Sequence, residues 1–458
     1  MDLTRILGKL WAMKPSCLAC LAVLAWSAAC SPAPEQSTPN FVVILADDLG
    51  YGDIAAYGST RNITPHLDRM AREGLRFSDF HSNGPMCTPT RASLLTGLYP
   101  QRFGEQFESA LSGIDDYDTG LPLDAVTLPE ALAEAGYTSG MYGKWHLGYH
   151  PPYTPQEQGF DDFRGLASGD GDHHSHVDRS GRPDWWHNGE LAPEEGYGVD
   201  LITQHSVDFI KRHRNKPFFL YVAHLAIHFP WQGPDDKGYR VEGGNYHNLS
   251  KLGELDSLDV SQQVNKMVEA VDSSVGAILD ALRDQGLADN TLVFFTSDNG
   301  GYLTYQGGYH NISENGPLRG QKTDVYEGGQ RVPAIAWWPD TIKPGLSDDV
   351  AATFDIMPTL LELAGVDSPR SLDGTSLVPL LLERDPLQPR TLFWRIRAET
   401  AVRKGRWKLV LLGNNEPELY DLEEDVGETI DLSNAHSETV QALEEELSAW
   451  TAAVDTNR

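Results

Sequence analysis

The stretch Phe41-Val42-Val43-Ile44-Leu45-Ala46 runs straight into Asp47-Asp48-Leu49-Gly50. An unbroken apolar run, half of it β-branched, reads as a strand buried on both faces, the pattern of a parallel sheet covered by helices on either side. Leu292-Val293-Phe294-Phe295-Thr296 repeats the pattern and ends in Ser297-Asp298-Asn299-Gly300. Residues 218–223, 140–142 and 333–338 are further strand candidates. Helical patterns lie between them. Val264, Met267, Val268, Val271, Val275, Ile278 and Leu282 fall at three- and four-residue steps, with Gly286 as a stop. Residues 128–135 form a second helical pattern, ended by Gly136. The alternation predicts an α/β fold, a large mixed, mostly parallel sheet sandwiched by helices. Ligands in such sheets sit beyond the carboxyl ends of the strands, so the acidic residues at these two strand ends are expected to share one site.

Past about residue 375 the texture changes. Residues 392–397, 401–412 and 418–422 read as short antiparallel strands, with Lys404-Gly405 as the clearest turn, and 437–453 as a closing amphipathic helix. A smaller α+β subdomain with a short antiparallel sheet is expected there. The organisation read from the chain is 1–29 export signal, 30–39 tether, 40–375 catalytic domain and 376–458 C-terminal subdomain.

The chain has 458 residues, 36 Lys+Arg against 66 Asp+Glu, and a net charge of −30. Its 40% hydrophobic content supports a large core and excludes disordered or collagen-like classes. The acidity argues against nucleic acid as a partner, because phosphate contacts need a basic surface. The bland reading of the acidity is a soluble, self-repelling surface. Four cysteines, Cys17, Cys20, Cys30 and Cys87, are too few for a disulfide scaffold.

Arg5, Lys9 and Lys14 precede a short apolar run that ends in Ser27-Ala28-Ala29-Cys30. The run is too short to span a bilayer and reads as a secretory signal. Small residues before a cysteine resemble a bacterial lipoprotein box, which would leave Cys30 lipidated and attached to a membrane. Cleavage nearby, leaving a free periplasmic or secreted protein, is the alternative. The Pro-rich residues that follow form a tether.

The most specific feature is Pro85-Met86-Cys87-Thr88-Pro89-Thr90-Arg91-Ala92-Ser93-Leu94-Leu95-Thr96-Gly97. Thr88 is suited to cap a helix with Pro89 at its first position. Cys87 then stands at a helix N-terminus, which favours an anion, with Arg91 one turn on. A cysteine phosphatase needs Cys and Arg six positions apart around a Gly-rich loop, whereas here they are four apart. A Cys-His hydrolase has no local signature here.

This segment resembles the signature of the type I sulfatases, in the alkaline phosphatase superfamily, including its arylsulfatase-like and carbohydrate-sulfatase branches. Thr90 stands where Ser is commoner. The resemblance covers essentially the whole chain after the signal, through Glu418-Leu419-Tyr420-Asp421-Leu422. Other segments match in order. They are Asp47-Asp48, then Gly143-Lys144-Trp145-His146-Leu147-Gly148, then Ala226-Ile227-His228-Phe229-Pro230. Ser297-Asp298-Asn299-Gly300 and Pro317-Leu318-Arg319-Gly320-Gln321-Lys322 complete the series.

The resemblance implies that a maturation enzyme oxidises Cys87 to formylglycine (3-oxoalanine), whose hydrate is the nucleophile. It implies a metal, Ca²⁺ or else Mg²⁺, held by Asp47, Asp48, Asp298, Asn299 and the modified Cys87. These are hard oxygen ligands, suited to such cations. Arg91, Lys144 and Lys322 would offset sulfuryl charge, His228 would protonate the leaving group and His146 would act as base.

Taken singly, each residue has a plain alternative. Asp298-Asn299-Gly300 is a good turn, His146 a packed histidine, and the lysines ordinary solvated charges. Residues 165–195, rich in Gly, Asp and His, read as long loops lining a substrate mouth. Within them His173, His174, His176 and Trp185 are candidate substrate contacts, as is His310 in a later Gly-rich stretch. A zinc site at the His tract lacks matching ligands elsewhere. The expected activity is hydrolysis of a sulfuric ester on a sulfated carbohydrate, outside the cytoplasm. The rivals are a phosphodiester or phosphonate hydrolase of the same superfamily and a non-catalytic sulfated-glycan binder.

Overall fold

The structure is a computed structural model that describes residues 38–248, 255, 257–368 and 370–456. The export signal with Cys17 and Cys20, and Cys30 with most of the tether, lie outside the described residues.

Asn40–Ala46 is a strand with all seven residues buried. It lies at the centre of a ten-stranded sheet. From one edge the strands run Gly345–Ser347, Leu75–Phe77, Ala334–Trp337, Thr291–Ser297, Asn40–Ala46, Phe218–Ala223, Thr138–Lys144, Asp162–Leu166, Trp186–His187 and Glu190–Leu191. The five neighbours from Thr291–Ser297 to Asp162–Leu166 are mutually parallel. Ala334–Trp337 pairs antiparallel on both sides, and the two shortest strands close the far edge antiparallel. The sheet is therefore mixed and mostly parallel, as the apolar runs predict.

Alternate residues of the central strand feed two cores. Val42, Ile44 and Ala46 face one, with helix Ser261–Asp284 supplying Val264, Val268, Val271 and Val275. Phe41, Val43 and Leu45 face the other, with helices Cys87–Thr96, Leu128–Ala133 and Ile356–Ala364. Each fully buried Val, Ile, Leu or Phe contributes about 1.5–3 kcal/mol, so burial on both faces fixes this strand in the middle of the sheet. The helix at 128 ends two residues earlier than its pattern suggests. Glu130 accepts from the Thr127 backbone in a capping box that sets its start.

Thr391–Ile396, Glu399–Lys404, Trp407–Leu412 and Glu418–Asp421 form a sequential antiparallel sheet. Helix Ser437–Asp455 covers it with Val440, Leu443, Leu447, Trp450 and Val454. This core also takes in Tyr99, Val325, Tyr326 and Phe354. A buried ion cluster adds to the junction. Arg403 binds Asp79 through both terminal nitrogens at 2.6 and 2.7 Å, and Lys408 Nζ reaches Glu327 and Glu428 at 2.9 Å each. No helix among the described residues is long and apolar enough to cross a membrane.

Candidate active site

Four adjacent parallel strands deliver the chemistry from their carboxyl ends. Thr291–Ser297 leads into Asp298 and Asn299, and Asn40–Ala46 into Asp47 and Asp48. Phe218–Ala223 leads to His228, and Thr138–Lys144 ends on Lys144 with His146 two residues later. The ends are stitched together. Asp47 N donates to Ala226 O at 2.9 Å, Asp298 N to Ala46 O at 3.1 Å and Asp48 N to Asp298 Oδ1 at 3.2 Å. Asp48 and His146 hold φ of 63° and 59°, the left-handed region that costs a residue with a Cβ. Both turn back into the site there.

Helix Cys87–Thr96 faces these ends. It begins at Cys87 behind Met86, and Thr88 caps nothing, contrary to the pattern reading. Instead the Thr88 hydroxyl donates to His146 O at 3.2 Å and accepts from Leu111 N at 3.1 Å. Its first turn is buried under the sheet edge, so the hydroxyl finds partners across the site rather than in its own helix. Cys87 keeps its place at the helix start.

The structure brings Asp47, Asp48, Cys87, Arg91, Lys144, His146, His228, Asp298, Asn299 and Lys322 together, all buried. Arg91 donates from Nε and Nη2 to Asp298 Oδ2 at 3.2 and 2.8 Å, and from Nη1 to Lys144 O at 2.7 Å. Lys144 Nζ contacts Asp47 Oδ2. Lys322 Nζ lies 2.5 Å from Asp48 Oδ1 and 3.2 Å from Cys87 Sγ. Ligand atoms of Asp47, Asp48, Cys87 and His228 lie within 4.8 Å of one another, a possible buried metal-binding group. Asp47 Oδ1 and Asn299 Oδ1 are buried without a hydrogen-bond partner, although Asn299 Nδ2 donates to Asp48 Oδ1 at 2.8 Å. Two orphaned hard oxygens among buried carboxylates fit a hard cation.

Burial pushes the Asp47 carboxyl up to about 8, with Asp298 adding to it. Burial would raise Asp298 too, but Arg91 foremost, with Lys144 and Lys322, holds it below its ordinary value. Burial also pushes the Cys87 thiol up to about 11, outweighing Lys144 and Lys322. An unmodified Cys87 is therefore a protonated thiol at neutral pH, which counts against a thiolate mechanism. Burial, then Lys144, holds His146 well below its ordinary value, and burial with Lys322 and Lys144 does the same for His228.

A cavity of about 260 Å³ opens over Cys87, lined in part by His146, His228 and Lys322. Residues 168–170, 178, 179 and 182 of the long loop line it, as the loop reading expects, but through different side chains. The structure does not bring His173, His174, His176 or Trp185 to this cavity. His173 Nε2 donates to His228 O and His174 Nε2 to Gly233 O, both at 3.0 Å. The His176 ring lies tilted against Trp185, centroids 4.3 Å apart, and Trp185 is itself part of the core. Backbone carbonyls of residues 228–233 thus consume two of the imidazoles, which brace the segment that carries His228. His310 sits exposed on a two-strand hairpin, outside the residues lining the cavity. Arg179, Arg182, Tyr149, Tyr302, Tyr305 and Arg397 line it without having been singled out by sequence. Tyr302 and Tyr305 follow Asp298-Asn299 closely, and that spacing is the one signal that could have found them.

Carboxylates, cations and a helix-borne cysteine at the carboxyl edge of a parallel sheet define an α/β enzyme for anionic esters. A sulfatase family model matches residues 39–366, and a model described as N-sulphoglucosamine sulphohydrolase, C-terminal, matches 321–453. The chain belongs to the sulfatase family and is a sulfuric ester hydrolase. It is 37% identical over 389 residues to human N-acetylgalactosamine-6-sulfatase, covering 80% of this chain and 69% of that one. Bovine (Bos taurus) arylsulfatase A is 35% identical over 486 residues, covering 91% and 87%. The crystal structure of Ps i-CgsB in complex with k-i-k-neocarrahexaose aligns with a TM-score of 0.77 at 30% identity, covering 90% and 93%.

Proposed function

We propose that this enzyme removes sulfate from a sulfated carbohydrate, with Cys87 matured to formylglycine and a divalent cation, Ca²⁺ before Mg²⁺, held by Asp47, Asp48, Asp298 and Asn299. One observation carries the reading. Lys322 Nζ touches both Cys87 Sγ and Asp48 Oδ1, so the cysteine stands inside the carboxylate cage. The sugar assignment draws support from a relative named N-acetylgalactosamine-6-sulfatase and from a second similar protein solved in complex with k-i-k-neocarrahexaose.

When present, formylglycine supplies the nucleophilic hydroxyl and the cation polarises the sulfuryl oxygens. The chain's own groups do the rest. With a cation there to keep the raised Asp47 carboxyl ionised, Asp47, Asp48 and Asp298 would bring three negative charges against the three positive ones of Arg91, Lys144 and Lys322, so these six side chains would sum to zero. A bound divalent cation makes the total +2, a positive pocket in a chain of net charge −30. Lys144 and Lys322 offset charge on the sulfuryl group, and Arg91 fixes Asp298. His146 donates from Nε2 to Leu111 O at 2.8 Å, so Nδ1 carries the lone pair that takes a proton. His228 donates from Nδ1 to Phe229 O at 2.7 Å, so Nε2 is its free nitrogen. An arriving sulfate ester counters Lys322 and Lys144, removing the part of the depression that these charges add to burial and raising the affinity of that nitrogen for the proton it passes to the leaving oxygen.

The N-terminal signal supports export, with lipid at Cys30 as a tether and a formylglycine-generating enzyme as the maturation partner. The test is sulfate release from a panel of sulfated mono- and oligosaccharides, with aryl phosphate diesters alongside. It is joined to mass spectrometry of the Cys87 peptide, expected to show loss of SH₂ and gain of O. An unmodified thiol in active native enzyme, or faster phosphoryl turnover, overturns the reading.

A further inference from the structure

We propose that Arg397 reads a second anionic group on the substrate, a sulfate or carboxylate apart from the ester that is cleaved. The inference rests on the carbohydrate reading above. Arg397 lines the cavity over Cys87, and it is the one lining residue that comes from the C-terminal sheet. Each of the other long cations of the lining already has a carboxylate against it, although Arg179 shares Asp170 with Arg240. Lys322 pairs with Asp48 at 2.5 Å, Arg182 Nε with Asp178 at 2.7 Å and Arg179 Nε with Asp170 at 2.8 Å. Arg397 has no ion pair among the described residues, in a chain where 66 acids outnumber 36 bases. An unpaired guanidinium facing a substrate cavity in so acidic a protein calls for an anion from outside.

Its mounting agrees. Arg397-Ala398 is a two-residue turn, with Ile396 paired to Glu399 across it. Arg397 takes φ of 54°, a left-handed conformation that Gly adopts more easily. The turn is also held from behind. Arg395 Nη2 donates to Glu108 at 2.7 Å and to Asp455 at 2.8 Å, and Gly413 N donates to Ala398 O at 3.1 Å. A fixed base thus carries a free planar fork, the donor geometry that matches sulfate or carboxylate oxygens in pairs.

The experiment uses the matured, metal-loaded enzyme. It measures kcat/KM for a monosulfated saccharide and for matched disaccharides carrying either a second sulfate or a uronate carboxylate. The readout is the ratio of each dianionic substrate to its monoanionic match. Arg397→Gln is expected to lower one of these ratios by about 10–100-fold, the loss of a charge-assisted hydrogen-bonded pair. The arm that falls identifies the anion, and Arg397→Lys should recover part of the ratio. Both ratios staying near wild type in Arg397→Gln overturns the inference alone. Wild-type enzyme that cleaves aryl sulfate but no sulfated saccharide overturns the carbohydrate reading and this inference with it.

Discussion

His146 Nε2 lies 2.8 Å from the carbonyl oxygen of Leu111, and its Nδ1 is buried with no partner. A carbonyl only accepts, so one ring nitrogen is tied and the other is aimed. The ring is also backed by Gly169, where a Cβ would stand 2.2 Å from Cε1 and Nε2. The peptide around Leu111 and the bare Gly169 backbone together set the direction of the free lone pair.

Two variants follow from that relationship. His146→Ala should lower kcat by about 10²–10⁴-fold, the usual range for a lost acid–base group. Gly169→Ala keeps the imidazole but forces it or its backing loop to move, so kcat should fall by at least about tenfold from misplacement alone. Steady-state kinetics with circular dichroism would check both. Gly169→Ala with wild-type kcat would show that the backing is not what aims the ring.

The orphaned oxygens of Asp47 and Asn299 make a prediction readable without activity. Chelation should lower the melting temperature, and added Ca²⁺ should restore it. At about a hundredfold excess over Kd the gain is about 2.7 kcal/mol. Asp298→Ala should lose the response. Scanning fluorimetry with Ca²⁺ and Mg²⁺ in parallel ranks the two ions. A melting temperature indifferent to chelator and to both ions would count against a cation here.

Arg91 is fully buried and holds Asp298 by two bonds and Lys144 O by a third. Arg91→Met leaves Asp298 in the interior without that partner, at an expected cost of about 3–5 kcal/mol. Arg91→Lys keeps the charge but not the fork, so it should fall between the two. Urea unfolding would measure the order. Equal stability of the Met and Lys variants would mean that charge at this position is immaterial.

The strand-end residues were legible in sequence because their placement follows from local pattern. An apolar run makes a central strand, and whatever follows the run stands at the carboxyl edge. Asp47 and Asp298 needed nothing more, whereas Lys144 ends a strand with no apolar run and was reached through the resemblance of Gly143-Lys144-Trp145-His146 to the family's segment. Arg179, Arg182 and Arg397 were not legible in the same way. They come from a long loop and a hairpin turn far apart in the chain, and no periodicity links them. The His tract misled because composition shows imidazoles but not their partners. Carbonyls at 228 and 233, more than fifty residues on, had already claimed two of the three. Thr88 misled for a related reason, since a cap pattern assumes an exposed helix start and this one is buried.

The junction with the C-terminal sheet carries its own pH signature. Burial would raise the Asp79 carboxyl, but Arg403, with His81 and Arg331, holds it well below its ordinary value. A carboxyl depressed by folding stabilises the fold above its unfolded pKa of about 4, and that contribution is lost as pH falls through the folded value. In Arg403→Ala the strongest opposing charge is gone, only His81 and Arg331 still counter the burial, and the carboxyl moves up, so less of that stability is present near neutrality. The gap between wild type and variant should therefore widen as pH rises through the acid range, reaching about 3–5 kcal/mol near neutrality. Melting curves at fixed ionic strength across that range would test it. A gap that stays constant with pH would mean that Arg403 acts there by packing alone, not by holding Asp79 ionised.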